Sequence, residues 1–251
     1  MGEDTVTVLG ADGHTLSPTA RKKAEKLLAQ GQARRVSQEP LVIQLTYTVA
    51  LPRTPEALAA PGHGRRILLH ICCGPCATYP IERLRAEEFQ TTGFWYNPNV
   101  QPSQEHERRR QSVEQYARVT GLSMIWHPEY ELMAFLRGVV HHEAPAERCL
   151  ICYRMRLERT AEVAAREGFD AFTTTLLISP HQDQQAIRSM GETIGEAKRV
   201  GFYFENFRRG WSQGRQMARA HGLYRQQYCG CVFSEWERYQ GMSPRRDEET
   251  H

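Results

Sequence analysis

Residues 65–80 read RRILLHICCGPCATYP, a short apolar run that ends in three cysteines around a Gly-Pro turn. Ile67, Leu68, Leu69 and Ile71 are β-rich and interrupted only by His70. This predicts a buried strand over 67–71, far too short to span a membrane. Gly74 and Pro75 break that strand. From Ala77 to Glu88, Ile81 and Leu84 fall on one face with charges opposite, which predicts a helix. Strand, loop and helix in this order set Cys72, Cys73 and Cys76 at the carboxyl end of a strand, where open α/β sheets collect their ligands. The loop is the first candidate site.

Outward from this stretch, the βα alternation continues toward the C-terminus. TTGFWY (91–96) reads as a strand, a helix runs from Ser103 to about Thr120 with Gly121 after it, and SMIWH (123–127) is a third strand. ELMAFLRGV is a short helix, and Pro145 opens a long one stopped by Gly168. FDAFTTTLLI supplies a fourth strand whose end carries SPHQD (179–183), and glycine-separated helices fill 184–239. The pattern predicts an α/β fold with a parallel sheet over 66–240 and a helical C-terminal part, followed by a polar tail at 241–251. Toward the N-terminus, residues 1–60 read as a separate small α+β unit. VTVLGADG is a strand and turn, a helix starts at Ser17-Pro18-Thr19, Leu41 to Val49 is a strand, and TPEALAAPGHGRR is a linker.

The chain has 251 residues and a net charge of +3, too small by itself to require a nucleic-acid partner, although Arg clusters at 34–35, 108–110 and 208–209. No run approaches a spanning helix, and MGEDTVTVLG lacks the basic start and apolar core of a secretory signal, so a cytoplasmic location without membrane contact is expected. In that reducing compartment the seven cysteines are free thiols rather than a disulfide framework. They fall in three tight groups: Cys72, Cys73 and Cys76; Cys149 and Cys152; Cys229 and Cys231. Thiolates select soft metals, and seven exceed one tetrahedral zinc site. Cys149 and Cys152 share a helix side, whereas the adjacent Cys72 and Cys73 are expected to point apart and serve neighbouring centres. Four cysteines satisfy an iron-sulfur cluster, leaving three for a second metal with an open position. One partition sets Cys149, Cys152, Cys229 and either Cys72 or Cys73 on the cluster, with the others, Cys76 and Cys231 among them, leaning toward the second metal; the spacing does not decide it. A zinc module is the competing reading, weakened because the CxxC pairs lie much further apart than zinc modules place them.

HICCGPCATYP, GFWYNPNVQPSQEHERR, RCLICYRMRL, TTTLLISPHQD and LYRQQYCGC occur in this order and together resemble the QueH family of epoxyqueuosine reductases, over roughly residues 66–240. VLGADGHTLSPTARKKAEKLLAQGQARRV followed by an apolar strand resembles the RRXRR-type domain of some nucleic-acid enzymes. The first resemblance implies a Rossmann-like (HUP-like) fold carrying a [4Fe-4S] cluster beside a mononuclear metal, iron by preference. It implies reduction of epoxyqueuosine to queuosine at the tRNA wobble position, without cobalamin, as the last step of queuosine biosynthesis. The partners would be tRNA carrying epoxyqueuosine and an electron donor such as ferredoxin or flavodoxin. The second resemblance makes residues 1–60 a candidate nucleic-acid binding unit.

Reductive deoxygenation needs electrons, a Lewis acid for the oxygen, and protons. His181 and Asp183 at a strand end, and Tyr228 before Cys229, are the candidate proton donors. Tyr96, Asn97 and Asn99 follow a strand and are candidates to stack on or read a base, with Arg225 and the other arginine clusters available to phosphates. His70, Trp95 and Trp126 read as core, and His141 and His142 as loop. Two alternatives stand beside this reading. A tRNA sulfur transferase of the ATP-pyrophosphatase type would need a Gly- and Ser-rich phosphate loop where this chain has CCGPC, and a zinc-dependent RNA-binding module would do no redox chemistry.

Overall fold

The computed structural model describes residues 5–11, 13, 15–46 and 64–241. The chain divides into two compact units, Met1–Pro55 and Glu56–His251. In the first, β1 (Thr5–Leu9), β2 (Thr15–Ala20), α1 (Arg21–Ala29), β3 (Ala33–Gln38) and β4 (Leu41–Leu45) form a sheet of order β2-β1-β4-β3. Val6, Val8, Ala24, Ala33, Ile43 and Leu45 are its core. The helix expected from Ser17-Pro18-Thr19 starts instead at Arg21, because those residues belong to β2. That strand is at the sheet edge, where a proline without an N–H donor is tolerated. β3 was not anticipated, since its Arg34, Arg35 and Val36 all face solvent. Tyr47 to Val49, residues 54–63 of the expected linker and residues 242–251 lie outside the described residues.

The second unit contains β5 (Arg66–His70), α2 (Gly74–Ala86), β6 (Gln90–Trp95), α3 (Ser103–Thr120), β7 (Ser123–Trp126), α4 (Leu132–Val139) and α5 (Pro145–Arg166). β8 (Ala171–Thr174), α6 (Gln184–Lys198), β9 (Gly201–Phe202), α7 (Trp211–Ala220) and α8 (Val232–Tyr239) complete it. The sheet is parallel throughout, in the order β7-β6-β5-β8-β9. The fold is α/β and doubly wound. Ile67, Leu68 and Leu69 are fully buried in the central β5, as a strand covered on both faces requires. The chain winds outward from β5 through β6 to β7, then returns to the other side of β5 with β8. The carboxyl ends of β5 and β8 therefore flank the topological switch point, where such sheets bind ligands.

Three boundaries differ from expectation in ways that matter to the site. α2 begins at Gly74 rather than Ala77, because proline is accepted in a helix's first turn; Cys76 is thus helical. β8 stops at Thr174, whose hydroxyl accepts from the Leu176 N–H at 3.1 Å and turns the chain into a 3₁₀ helix over Thr175–Ile178. β9 is two residues long, too short to carry a period.

Candidate functional site

Past the end of β5 the backbone leaves the strand, and the alternation that would part adjacent side chains no longer applies. Cys73 occupies the N-cap of α2 and Cys76 its first turn, so the three sulfurs converge. The Sγ atoms of Cys72, Cys73 and Cys76 all lie within 4.8 Å of one another, with Cys72 and Cys73 3.8 Å apart. The expectation that Cys72 and Cys73 point to different centres is corrected accordingly. Thr175 anchors Cys72 twice, its Oγ1 accepting from the Cys72 N–H at 3.0 Å and donating to the sulfur at 3.3 Å. Gly74 is needed for close approach: a Cβ there would sit 2.4 Å from Ser112 Oγ and 2.9 Å from the Ser112 carbonyl on α3. Hydrogen bonds from Cys73 and Cys76 hold the Cys72 thiol well below its ordinary range despite burial. Burial pushes Cys73 up, and the bond to Cys72 pushes Cys76 up, so the trio concentrates its negative charge on one sulfur.

His70 lies beneath this group, fully buried, with Nδ1 2.9 Å from Thr174 Oγ1 and Nε2 3.0 Å from the Tyr96 carbonyl. A carbonyl only accepts, so Nε2 carries the proton and the ring is neutral. Burial, then Arg156, lowers its pKa to about 4. His70 is a satisfied core residue.

The remaining four thiols come from two distant segments. Cys149 and Cys152 occupy the first turns of α5, while Cys229 and Cys231 lie on the loop that enters α8, Cys231 as its N-cap. Gly230 between them has φ +147°, and a Cβ would meet Arg109 Nη1 at 3.1 Å and Asn99 Nδ2 at 3.2 Å. Cys152 and Cys231 share a buried cluster with Phe135 and Val139 on α4. Burial raises Cys149 to about 11 and Cys152 to about 12. Cys149 and Cys229 line the same cleft. Cys72, Cys73 and Cys76 thus form one close group, while Cys152 and Cys231 are packed together elsewhere.

Three buried guanidinium groups surround these sulfurs. Arg109 donates to the carbonyls of Cys229 (2.8 Å) and Tyr228 (3.0 Å), Arg148 pairs with Glu237, and Arg156 donates to Cys152 Sγ at 3.0 Å. Thiols beside fixed positive charge suit metal ligands, which must be deprotonated on binding. The close trio suits a single ion, and the wider group of four suits a cluster whose cysteines bond separate irons.

Both groups open onto one cleft of ≈ 520 Å³, reached by Cys72, Cys76, Cys149 and Cys229. His181 lines it. Tyr228 lines it too, but its hydroxyl donates to the Gln101 carbonyl at 2.5 Å. Asp183 does not line it; its carboxylate caps α6, accepting from the Ala186 N–H at 3.0 Å. Tyr96, Asn97 and Asn99 are buried away from the cleft, where Tyr96 donates to Glu131 at 2.6 Å and Asn97 to the Ile71 carbonyl at 2.9 Å. Asn99 lies beneath Gly230, its Nδ2 3.2 Å from where a Cβ would stand. Arg225 is exposed outside the cleft lining. Of the arginines offered to phosphates, Arg109 is 1 % exposed, and Arg208 pins the SPHQD loop through the carbonyls of Ser179 and Gln182. Arg156, Gln182 and Gln226 were not anticipated. The two amides donate to Cys229 Sγ and Cys76 Sγ, each at 3.5 Å. Only Arg156 left a trace in the sequence, as the residue one turn beyond Cys152.

A doubly wound parallel sheet with thiol groups gathered at its switch point defines a Rossmann-like protein built around a cysteine metal site. Residues 67–237 match the family described as "Epoxyqueuosine reductase QueH", and residues 6–63 match the RRXRR protein family. The chain belongs to the QueH family, a family of reductases, as its motifs indicated. The epoxyqueuosine reductase QueH of Thermotoga maritima is 39% identical over 180 residues, covering 68% of this chain and 91% of that protein. Its counterpart in Dehalococcoides mccartyi is 36% identical over 174 residues, covering 69% and 94%. That of Haemophilus influenzae is 29% identical over 225 residues, covering 87% and 88%. Among solved structures, a predicted subunit of tRNA methyltransferase from Methanocaldococcus jannaschii aligns with a TM-score of 0.45 and 12% identity, covering 62% of this chain and 74% of that one. No described helix is long and apolar enough to cross a membrane.

Proposed function

We propose that this protein reduces epoxyqueuosine to queuosine at the wobble position of tRNA, in the cytoplasm and without cobalamin. Cys149, Cys152, Cys229 and Cys231 hold a [4Fe-4S] cluster, and Cys72, Cys73 and Cys76 hold a single iron. The observation that carries this reading is the convergence of Cys72, Cys73 and Cys76 at a cleft that Cys149 and Cys229 also line. When bound, these groups supply electrons singly and an electrophilic position for the epoxide oxygen. The chain's own residues do the rest. Thr175 and Gln226 orient the trio, Gln182 and Arg156 orient the four, and His181 at the rim holds a proton for the departing oxygen. Opening the epoxide to the alkene takes two electrons and two protons and releases water. The electrons come from a reduced carrier such as ferredoxin or flavodoxin.

The test is iron and acid-labile sulfide per chain on anaerobically purified protein, followed by turnover on tRNA carrying epoxyqueuosine. The reading expects about four sulfides and five irons per chain. Zinc without sulfide would replace it with a non-redox RNA-binding module.

The N-terminal unit is assigned to tRNA contact. Arg21, Lys22, Lys23 and Lys26 on α1, with Arg34 and Arg35 on β3, are all exposed, which suits phosphate binding. Replacing Lys22, Lys23 and Arg35 together by Ala is expected to flatten the salt dependence of tRNA affinity by roughly 0.7 to 0.9 per lost contact. An unchanged slope would confine these cations to solvation.

A further inference from the structure

The three buried arginines differ in what balances them. Arg109 pairs with Glu105 at 2.7 Å and Arg148 with Glu237 at 2.6 Å. Arg156, 2 % exposed, has no carboxylate within ion-pair distance among the described residues. Its Nε donates to the Cys152 carbonyl at 3.2 Å and its Nη2 to Cys152 Sγ at 3.0 Å. One helical turn separates the two residues on α5, so the guanidinium lies directly over its own ligand sulfur. It also lines the cleft between the two thiol groups.

Burying an unpaired cation costs several kcal/mol, so a fold retains one where an anion offsets it. Here the available anions are sulfurs. Cys152 Sγ lies 3.0 Å from the guanidinium, and Cys72 and Cys229 line the same cleft as Arg156. A guanidinium stays protonated throughout, so its charge is constant while that of the redox centre changes.

We propose that Arg156 is a positioning residue for electron transfer, a fixed countercharge on the Cys152 sulfur that raises the reduction potential of the cluster held by Cys149, Cys152, Cys229 and Cys231. The inference rests on the cofactor assignment above. In the step concerned, one electron passes from an external reductant to the cluster, which gains one negative charge. No bond breaks and no proton moves to Arg156. A positive charge hydrogen-bonded to a ligand sulfur stabilises the more negative form, so the potential rises. Arg148 and Arg109, already offset by carboxylates, contribute less.

The experiment compares the full-length protein with Arg156→Lys, Arg156→Met and Arg148→Lys, counting iron and sulfide first and then titrating anaerobically with dithionite under EPR. In Arg156→Met the reduced-to-oxidised ratio at a fixed potential is expected to fall at least about tenfold, equivalent to about 59 mV for a one-electron couple. Arg156→Lys keeps the charge but loses the fork and shifts less, and Arg148→Lys shifts least. Cluster-replete Arg156 variants that titrate like the parent would overturn the proposal. So would a folded Arg156→Lys that loads no cluster, which would make the residue one of assembly. Should Arg156→Met fail to fold, Arg156→Lys against Arg148→Lys decides. A parent protein without acid-labile sulfide would instead overturn the cofactor assignment itself.

Discussion

The two thiol groups on the cleft are built in opposite ways. Cys72, Cys73 and Cys76 come from five consecutive residues, and the turn from β5 into α2 alone brings their sulfurs together. Cys152 meets Cys231 only because α5, α4 and the loop before α8 are packed side by side. Long-range clamps hold that arrangement: Arg109 on α3 grips the carbonyls of Tyr228 and Cys229, and Arg148 on α5 grips Glu237 on α8. The trio is a property of local backbone, while the group of four is a property of tertiary structure. They should therefore fail separately.

Substituting the thiols breaks the comparison most directly. Cys231→Ala is expected to lose acid-labile sulfide while the trio keeps its ion, and Cys76→Ala to lose about one iron per chain with sulfide unchanged. Both should lower kcat by roughly 10³-fold or more, the scale of several kcal/mol of lost transition-state stabilisation. Sulfide loss in Cys76→Ala would merge the two groups into a single centre.

Arg109→Met tests the clamp. Removing the guanidinium leaves Glu105 buried without its cation and frees two carbonyls, at a cost of about 3–5 kcal/mol read from the urea midpoint. Because the clamp holds the 229–231 loop, cluster iron should be lost at lower urea than the ion of the trio. Simultaneous loss would make the two groups equally dependent on tertiary packing.

The same contrast explains what could be read beforehand. The central strand, the parallel sheet and the three-cysteine loop were legible because each is decided within a dozen residues by apolar period and chain-breaking residues. The packing of Cys231 against Cys152 was not, since it depends on helix packing that no local pattern encodes. Arg109 illustrates the difficulty. It stands in a run of three arginines whose neighbours are more exposed, and only the turn of α3 directs the middle one inward. Asn97 and Asn99 failed in the converse direction. Polar residues after a strand suggest ligand contact, yet here both are buried, Asn97 donating to the Ile71 carbonyl and Asn99 lying under Gly230.

Gly74→Ala probes the local group by itself. The added methyl would press on Ser112 backbone as well as its hydroxyl, so overpacking should cost about 1–3 kcal/mol. The displacement falls at the helix start that carries Cys73 and Cys76, so metal affinity at the trio should drop while sulfide content holds. Equal loss of sulfide would show that α2 also supports the other centre.

The smallest effect sets the pH at which these comparisons can be made. His106 on α3 stacks on Tyr130 with ring centroids 4.2 Å apart and meets Trp95 edge-on at 5.2 Å. Burial lowers its pKa from 6.5 to about 4. Between those values the unfolded chain binds a proton that the folded chain refuses, so stability increases with pH across the window. Its contribution is complete above about pH 6.5 and is lost as pH falls through 4. His106→Gln should flatten the decline of the urea midpoint between pH 6.5 and 4 while leaving the iron-to-sulfide ratio at neutral pH unchanged. An undiminished decline would assign acid sensitivity to other groups. The separation of trio from cluster belongs above this window, where metal loss is not confounded with unfolding of α3.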